Sequence, residues 1–206
     1  MSAVMIKRLV FVRHGESEHH VNGMTGGWTD LPLTERGRRQ AAATARHLAE
    51  LDLSDAGFFT SDLLRASQTA EIIGDALGRQ PIALDVLREV NNGEATGLSV
   101  EDAKKIERPH PAEYDPDWTA YPGGESMKAL DARMRAALAD LIDTGHSEVL
   151  VVGHGFSGTL LLKAWLGLPI IPYIAFNLSP ASVSEFFINE FSEPCIERLN
   201  SVYGEA

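Results

Sequence analysis

A chain of 206 residues with 44% hydrophobic and 23% charged side chains has the composition of a globular domain with one substantial core, which excludes wholesale disorder. A formal net charge of -11 argues against a nucleic-acid-binding surface, so an anionic ligand must be drawn by a local cluster of cations. A single cysteine, Cys195, excludes an internal disulfide, and no apolar run approaches the roughly 20 residues of a membrane span; with no signal-like segment in residues 1–12, the expected setting is cytoplasmic.

The first element is an apolar run, Leu9-Val10-Phe11-Val12, which reads as a strand buried on both faces. It ends in Arg13-His14-Gly15-Glu16-Ser17, placing a cation, an imidazole and a glycine where open α/β sheets bind ligands. Gly15 is expected to let the backbone turn close to a ligand. Residues 18–32 form a loop with Gly23, Gly26, Gly27 and Trp28, able to bring backbone N–H groups to an oxyanion. The neighbouring His19 and His20 lack partners at metal-ligand spacing, so no metal is expected there. Thr34 opens a helix to about Leu51, with Ala41, Ala45, Leu48 and Ala49 as its apolar stripe. Residues 57–61 read as a short buried strand. Ser61 or Asp62 is then expected to cap a helix through Leu64, Ala70, Ile73 and Leu77. Arg65 in that helix's first turn opposes the helix dipole and calls for an anionic partner.

Residues 81–87 read as a further strand, with Glu89 directly behind it, and residues 99–105 as a short helix. Pro109, Pro111, Pro116 and Pro122 punctuate an irregular stretch rich in aromatic and acidic residues. The reading is one domain over residues 1–206 with a lid-like insertion around 106–125. Glu125 and Ser126 lead into a helix with Leu130, Met134, Ala137, Leu138 and Leu141 inward. Residues 148–153 form a second apolar strand ending in His154-Gly155, and the helix after it is expected to start near Ser157. Residues 181–188 and 195–202 close the chain as two strands, with Cys195 expected to be a buried small apolar residue.

Alternating strands and helices predict a three-layer α/β/α sandwich with a mostly parallel sheet. His14 and His154 then stand at the carboxyl ends of parallel strands. With Arg13 and Arg65 they would make a receptor for a dianionic phosphoryl group. Arg13-His14-Gly15-Glu16-Ser17, Thr60-Ser61-Asp62-Leu63-Leu64-Arg65-Ala66-Ser67-Gln68-Thr69-Ala70, Leu87-Arg88-Glu89 and Gly153-His154-Gly155 together resemble the histidine phosphatase superfamily, which includes phosphoglycerate mutases and many phosphatases. The resemblance implies that His14 is the nucleophile and Glu89 the proton donor and later base, while Arg13, Arg65 and His154 bind the phosphoryl group. It implies no metal and no other cofactor. Ser17, His20, Thr25, Gly26, Asn91, Asn92 and Gly155 are the candidates for holding the rest of the substrate.

Departures from the mutase pattern favour hydrolysis of a small phosphate monoester. His20 stands where mutases typically carry asparagine, Asn92 where they carry tyrosine, and residues 90–153 contain no Arg-Arg pair. A mutase-type phosphotransferase is the alternative. A serine hydrolase is a further one, suggested by Gly155-Phe156-Ser157-Gly158, although Thr159 replaces the glycine that such an elbow requires. A non-catalytic phospho-ligand-binding protein would have no need of a nucleophile and a proton donor together. The expected partner is a phosphorylated small molecule, with neither nucleic acid nor membrane, and self-association is left open.

Overall fold

A computed structural model describes residues 5–170 and 174–204, so both ends of the expected 1–206 unit lie outside the described residues. The strands are β1 (Arg8–Arg13), β2 (Gly57–Thr60), β3 (Ile82–Ala83), β4 (Glu148–Gly153), β5 (Val183–Ile188) and β6 (Pro194–Ser201). The α-helices are α1 (Glu35–Leu48), α2 (Leu64–Leu77), α3 (Val100–Ile106), α4 (Met127–Asp143) and α5 (Gly155–Trp165). One sheet runs in the order β3-β2-β4-β1-β5-β6. Its first four strands are parallel, and β5 and β6 are antiparallel.

The period of two along β1 decides the layering. Leu9 and Phe11 face a core with Leu130, Met134 and Leu160 from α4 and α5. Val10 and Val12 face the opposite core, with Ala45, Leu48, Ala70 and Ile73 from α1 and α2. The expected three-layer sandwich is therefore present. The parallel pairing of β1 with β4 sets Arg13 level with Gly153. His14 and His154 thus leave the sheet side by side, and the His14 N–H donates to the Gly153 carbonyl at 2.9 Å.

Four local expectations need correction. The strand foreseen over residues 81–87 shrinks to β3, because the chain turns through a 3₁₀ segment at Asp85–Leu87 that buries Leu87. α5 begins at Gly155 rather than Ser157. Neither Ser61 nor Asp62 is the N-cap of α2. That position is Leu63, and the Asp30 carboxylate accepts from the Leu64 N–H at 2.7 Å. Cys195 is half-exposed, since β6 is an edge strand with only β5 beside it. Asp30→Ala should cost about 1 kcal/mol of stability through loss of this cap. Urea unfolding reads the effect, and an unchanged midpoint would exclude the capping role.

Gly15 also has a reason other than the one expected. A Cβ built on Gly15 would lie 2.5 Å from the Gly37 carbonyl oxygen, and one on Gly37 would lie 1.9 Å from the Glu16 carbonyl oxygen. Both glycines let the first turn of α1 press main chain to main chain against the end of β1. The Glu35-Arg36-Gly37 turn is itself capped by the Thr34 hydroxyl, which accepts from the Gly37 N–H at 3.0 Å.

Candidate active site

The site sits beyond the carboxyl ends of β1, β4 and β2. The His14 Nδ1–H donates to its neighbour's carbonyl, Gly15 O, at 2.7 Å. That bond fixes the tautomer and leaves a lone pair on Nε2, toward which Arg65 Nε–H points at 3.3 Å. Burial first, then the charge of Arg65, the neighbouring His154 and Arg13, hold the His14 pKa well below the ordinary 6.5. The imidazole is therefore kept neutral, the form in which Nε2 is nucleophilic.

Arg65 is 1% exposed, and its other two nitrogens donate to Thr29 O at 3.0 Å and Gly27 O at 2.7 Å. The 18–32 loop thus serves this arginine through carbonyls, whereas the sequence suggested N–H groups. Burial lowers the Arg65 pKa to about 10, with Glu89 and Asp30 opposing that shift. Arg13 donates to the Leu178 carbonyl, and its buried Nε lacks a partner among the described residues. His154 is fully buried with its ring centroid 5.1 Å from that of His14. Neither His154 ring nitrogen has a hydrogen-bond partner among the described residues. Unpaired buried polar groups are costly, and an oxyanion placed among these atoms would satisfy them.

His20 Nδ1 accepts the Ser17 N–H at 3.0 Å, so in the neutral ring Nε2 carries the proton. That N–H faces Arg13 at 3.3 Å, two donors converging where an anionic oxygen would satisfy both. The Ser17 hydroxyl meets His19 Nδ1 at 2.5 Å. Ser17 is therefore a buried support for the two histidines and lines neither cavity described below. Among the described residues, no group of three or more His, Cys, Asp or Glu is placed to hold a metal ion.

Burial lowers the pKa of His19 to about 3 and of His20 to about 4, helped for His19 by His20 and for His20 by Arg13. Both folded values lie under the unfolded 6.5, so below that pH the unfolded chain takes up protons that the folded chain refuses. Stability should fall as pH drops from 6.5 toward 4, and His20→Asn should flatten that fall. Urea midpoints across this range test the sign; a slope unaltered in the variant contradicts it.

Glu89 is held by the start of α5. Its carboxylate accepts the N–H groups of Val90 at 2.9 Å, Phe156 at 3.0 Å and Ser157 at 2.9 Å. Two of these are first-turn donors of α5, which explains why that helix starts early. Its cap comes from a residue far away in sequence. The Glu89 backbone is gripped as well, because its carbonyl accepts from Trp28 Nε1 at 2.7 Å and from Arg133 at 3.1 Å. Arg133 also forks onto Glu125 at 2.9 and 2.7 Å. Sequence reasoning missed Arg133 and Asp30, and it named Trp28 only as a member of the 18–32 loop, not as a partner of Glu89. The available signal was an arginine three residues after Leu130, beside the inward stripe of α4.

Two cavities meet at this centre. The first, of about 520 Å³, is lined by Arg13, His14, His20, Thr25, Gly26, Arg65, Glu89 and Asn92, with Ala120 and Tyr121 at its edge. The second, of about 440 Å³, shares Arg13, Glu89 and Phe156 with it and includes Gly155. Thr25 commits its hydroxyl to Ala95 O at 2.8 Å, so it contributes surface more than hydrogen bonds. Asn92 accepts from Trp28 N and Thr96 Oγ1 at 2.9 Å each, and its buried amide nitrogen lacks a partner among the described residues. Asn91 lies outside both cavities: its side-chain oxygen accepts from Gly93 N at 2.8 Å and its own N–H donates to Glu125 at 3.1 Å. It braces the loop that carries Glu89.

Two neutral imidazoles and two guanidiniums gather at one end of an α/β sheet with the Glu89 carboxylate, an arrangement whose chemistry suits an oxyanion. The chain belongs to the histidine phosphatase superfamily, branch 1, whose family model matches residues 9–201. It is 36% identical over 171 residues to a probable phosphoglycerate mutase, GpmB, of Yersinia enterocolitica, covering 79% of this chain and 76% of that relative. It is also 36% identical over 170 residues to the 2,3-bisphosphoglycerate-dependent phosphoglycerate mutase of Mesorhizobium japonicum, covering 78% of this chain and 82% of that one. Among solved structures, a mycobacterial glucosyl-3-phosphoglycerate phosphatase superposes with TM-score 0.78 at 28% identity, over 95% of this chain and 99% of the other.

Proposed function

We propose that the chain is a phosphatase that hydrolyses a small-molecule phosphate monoester through a phosphohistidine, with no metal ion required. The observation that carries this is the His14 ring, locked by Gly15 O so that its Nε2 lone pair faces a buried cluster of cations and unpaired imidazole nitrogens. In the first step His14 Nε2 bonds to phosphorus, the ester P–O bond breaks, and the leaving oxygen takes the proton of the Glu89 carboxyl. In the second, Glu89 takes a proton from water as the water oxygen bonds to phosphorus. The N–P bond then breaks and inorganic phosphate leaves. Arg13 and Arg65 carry the charge on the equatorial oxygens, a role that a divalent cation has in other phosphoryl-transfer enzymes.

Mutase action is the second reading, favoured by the names of the relatives at 36% identity. Among the described residues, the cavities' lysine and arginine side chains are Arg13, Arg65 and Lys163. Both arginines serve the phosphoryl group here, and none is left beside it for the carboxylate of a three-carbon acid. The test follows 3-phosphoglycerate and 4-nitrophenyl phosphate by phosphorus NMR in EDTA. Release of inorganic phosphate from an ester supports hydrolysis; 2-phosphoglycerate as the main product overturns it.

A further inference from the structure

The second cavity extends away from the phosphoryl position along one face of α5, where Gly155, Thr159 and Lys163 succeed one another at four-residue spacing. Its walls are mainly apolar, with Met127, Leu160, Ile174 and Phe176 among them, and Tyr114 and Asn177 add polar groups. Thr159 adds little polarity, because its hydroxyl donates back to Gly155 O at 2.9 Å. Toward the far end stands the buried Lys163, already in the field of the Asp131 carboxylate of α4, eight residues beyond Gly155 and so about 12 Å along the helix. The near end is closed by Glu89 and Arg13, the two groups that a leaving alcohol must pass.

We infer that this cavity is the leaving-group subsite, and that the substrate is a phosphate monoester of an elongated apolar or aromatic alcohol whose far end, about 12 Å from the ester oxygen, is polar or acidic and lies at Lys163. The inference rests on the hydrolase reading and narrows it. A sugar would set most of its hydroxyls against apolar walls, with Tyr114 and Asn177 too few to satisfy them, a mismatch that selects against it. A three-carbon acid would hold its carboxylate a full turn or more short of Lys163.

Three esters of closely matched leaving-group acidity separate the contributions: phenyl phosphate, 4-butylphenyl phosphate and 4-(3-carboxypropyl)phenyl phosphate. The wild type should turn over the butyl ester with kcat/KM about 30-fold above phenyl phosphate, as burial of several methylenes implies. The carboxypropyl ester should match or exceed the butyl ester, and should lose about tenfold in Lys163→Met. Leu160→Asn should erase the butyl advantage. Because Leu160 is a core residue, Ile174→Asn, at a 40% exposed position, provides a second variant that cannot collapse the fold. Calorimetric binding of the same esters to His14→Ala reads the cavity without chemistry. A binding gradient with no wild-type turnover keeps the subsite and sinks the hydrolase. Turnover equal across the three esters, or a butyl advantage that survives both asparagine variants, overturns the subsite. Rejection of the carboxylate by the wild type as strongly as by Lys163→Met overturns the part given to Lys163.

Discussion

His14→Ala should lose at least about 10⁴-fold in kcat, because no other group can take over the covalent step. The remaining imidazoles are wrongly disposed for it. His20 carries its proton on the nitrogen that faces the site, and His19 is not addressed by Arg65, whose N–H groups go to His14 Nε2, Thr29 O and Gly27 O. His154 has neither ring nitrogen fixed by a backbone carbonyl, as His14 Nδ1 is by Gly15 O. The variant should also cease to retain acid-labile, base-stable phosphoryl label from a phosphorylated substrate, while its thermal unfolding stays cooperative. Equal turnover by variant and wild type would end the phosphohistidine mechanism, whatever the fate of the fold.

Glu89→Gln should produce a loss that depends on the leaving group. An alkyl phosphate needs a proton delivered to a poor leaving oxygen, and the loss there should reach about 10³-fold, whereas 4-nitrophenyl phosphate departs unaided and should suffer much less in the first step. A structural cost accompanies it. The carboxylate now accepts three backbone N–H groups, and the amide must turn its own NH₂ toward one of them. One unpaired donor is worth about 1–3 kcal/mol, so the variant should unfold at lower urea. Measuring kcat/KM across esters of graded acidity separates the roles: a uniform loss would mean that Glu89 only positions α5.

The family motifs carried most of the centre, since Arg13 and His14 stand at the end of β1, Arg65 in the first turn of α2, Glu89 just behind the 3₁₀ turn at Asp85–Leu87 and His154 directly after β4. The same local grammar located β1, β4, α1, α2 and α4, where apolar period and side-chain size agree. What escaped it depends on contacts distant in sequence. Asp30 caps α2, the Glu89 carboxylate caps α5, and Arg133 of α4 grips the Glu89 carbonyl. No window around residues 64 or 155 contains those partners, so the start of α5 and the cap of α2 were misplaced. Ser17 and Asn91 were assigned to substrate because polar residues beside a motif look available. Both are consumed by bracing hydrogen bonds that only the folded chain brings within reach.

The contact between Gly15 and Gly37 limits how this centre can change over evolutionary time. A site located by side-chain packing can be re-aimed in small steps, one methylene at a time. Here the nucleophile's strand end is indexed against α1 by bare main chain, and neither partner has an atom left to remove. Enlargement at one position therefore has no compensating reduction at the other. A saturation library should show positions 15 and 37 as a pair intolerant of every replacement and beyond second-site rescue. Diversification of such a protein is left to the walls around the centre, where α5 and the 108–122 loop border the cavities.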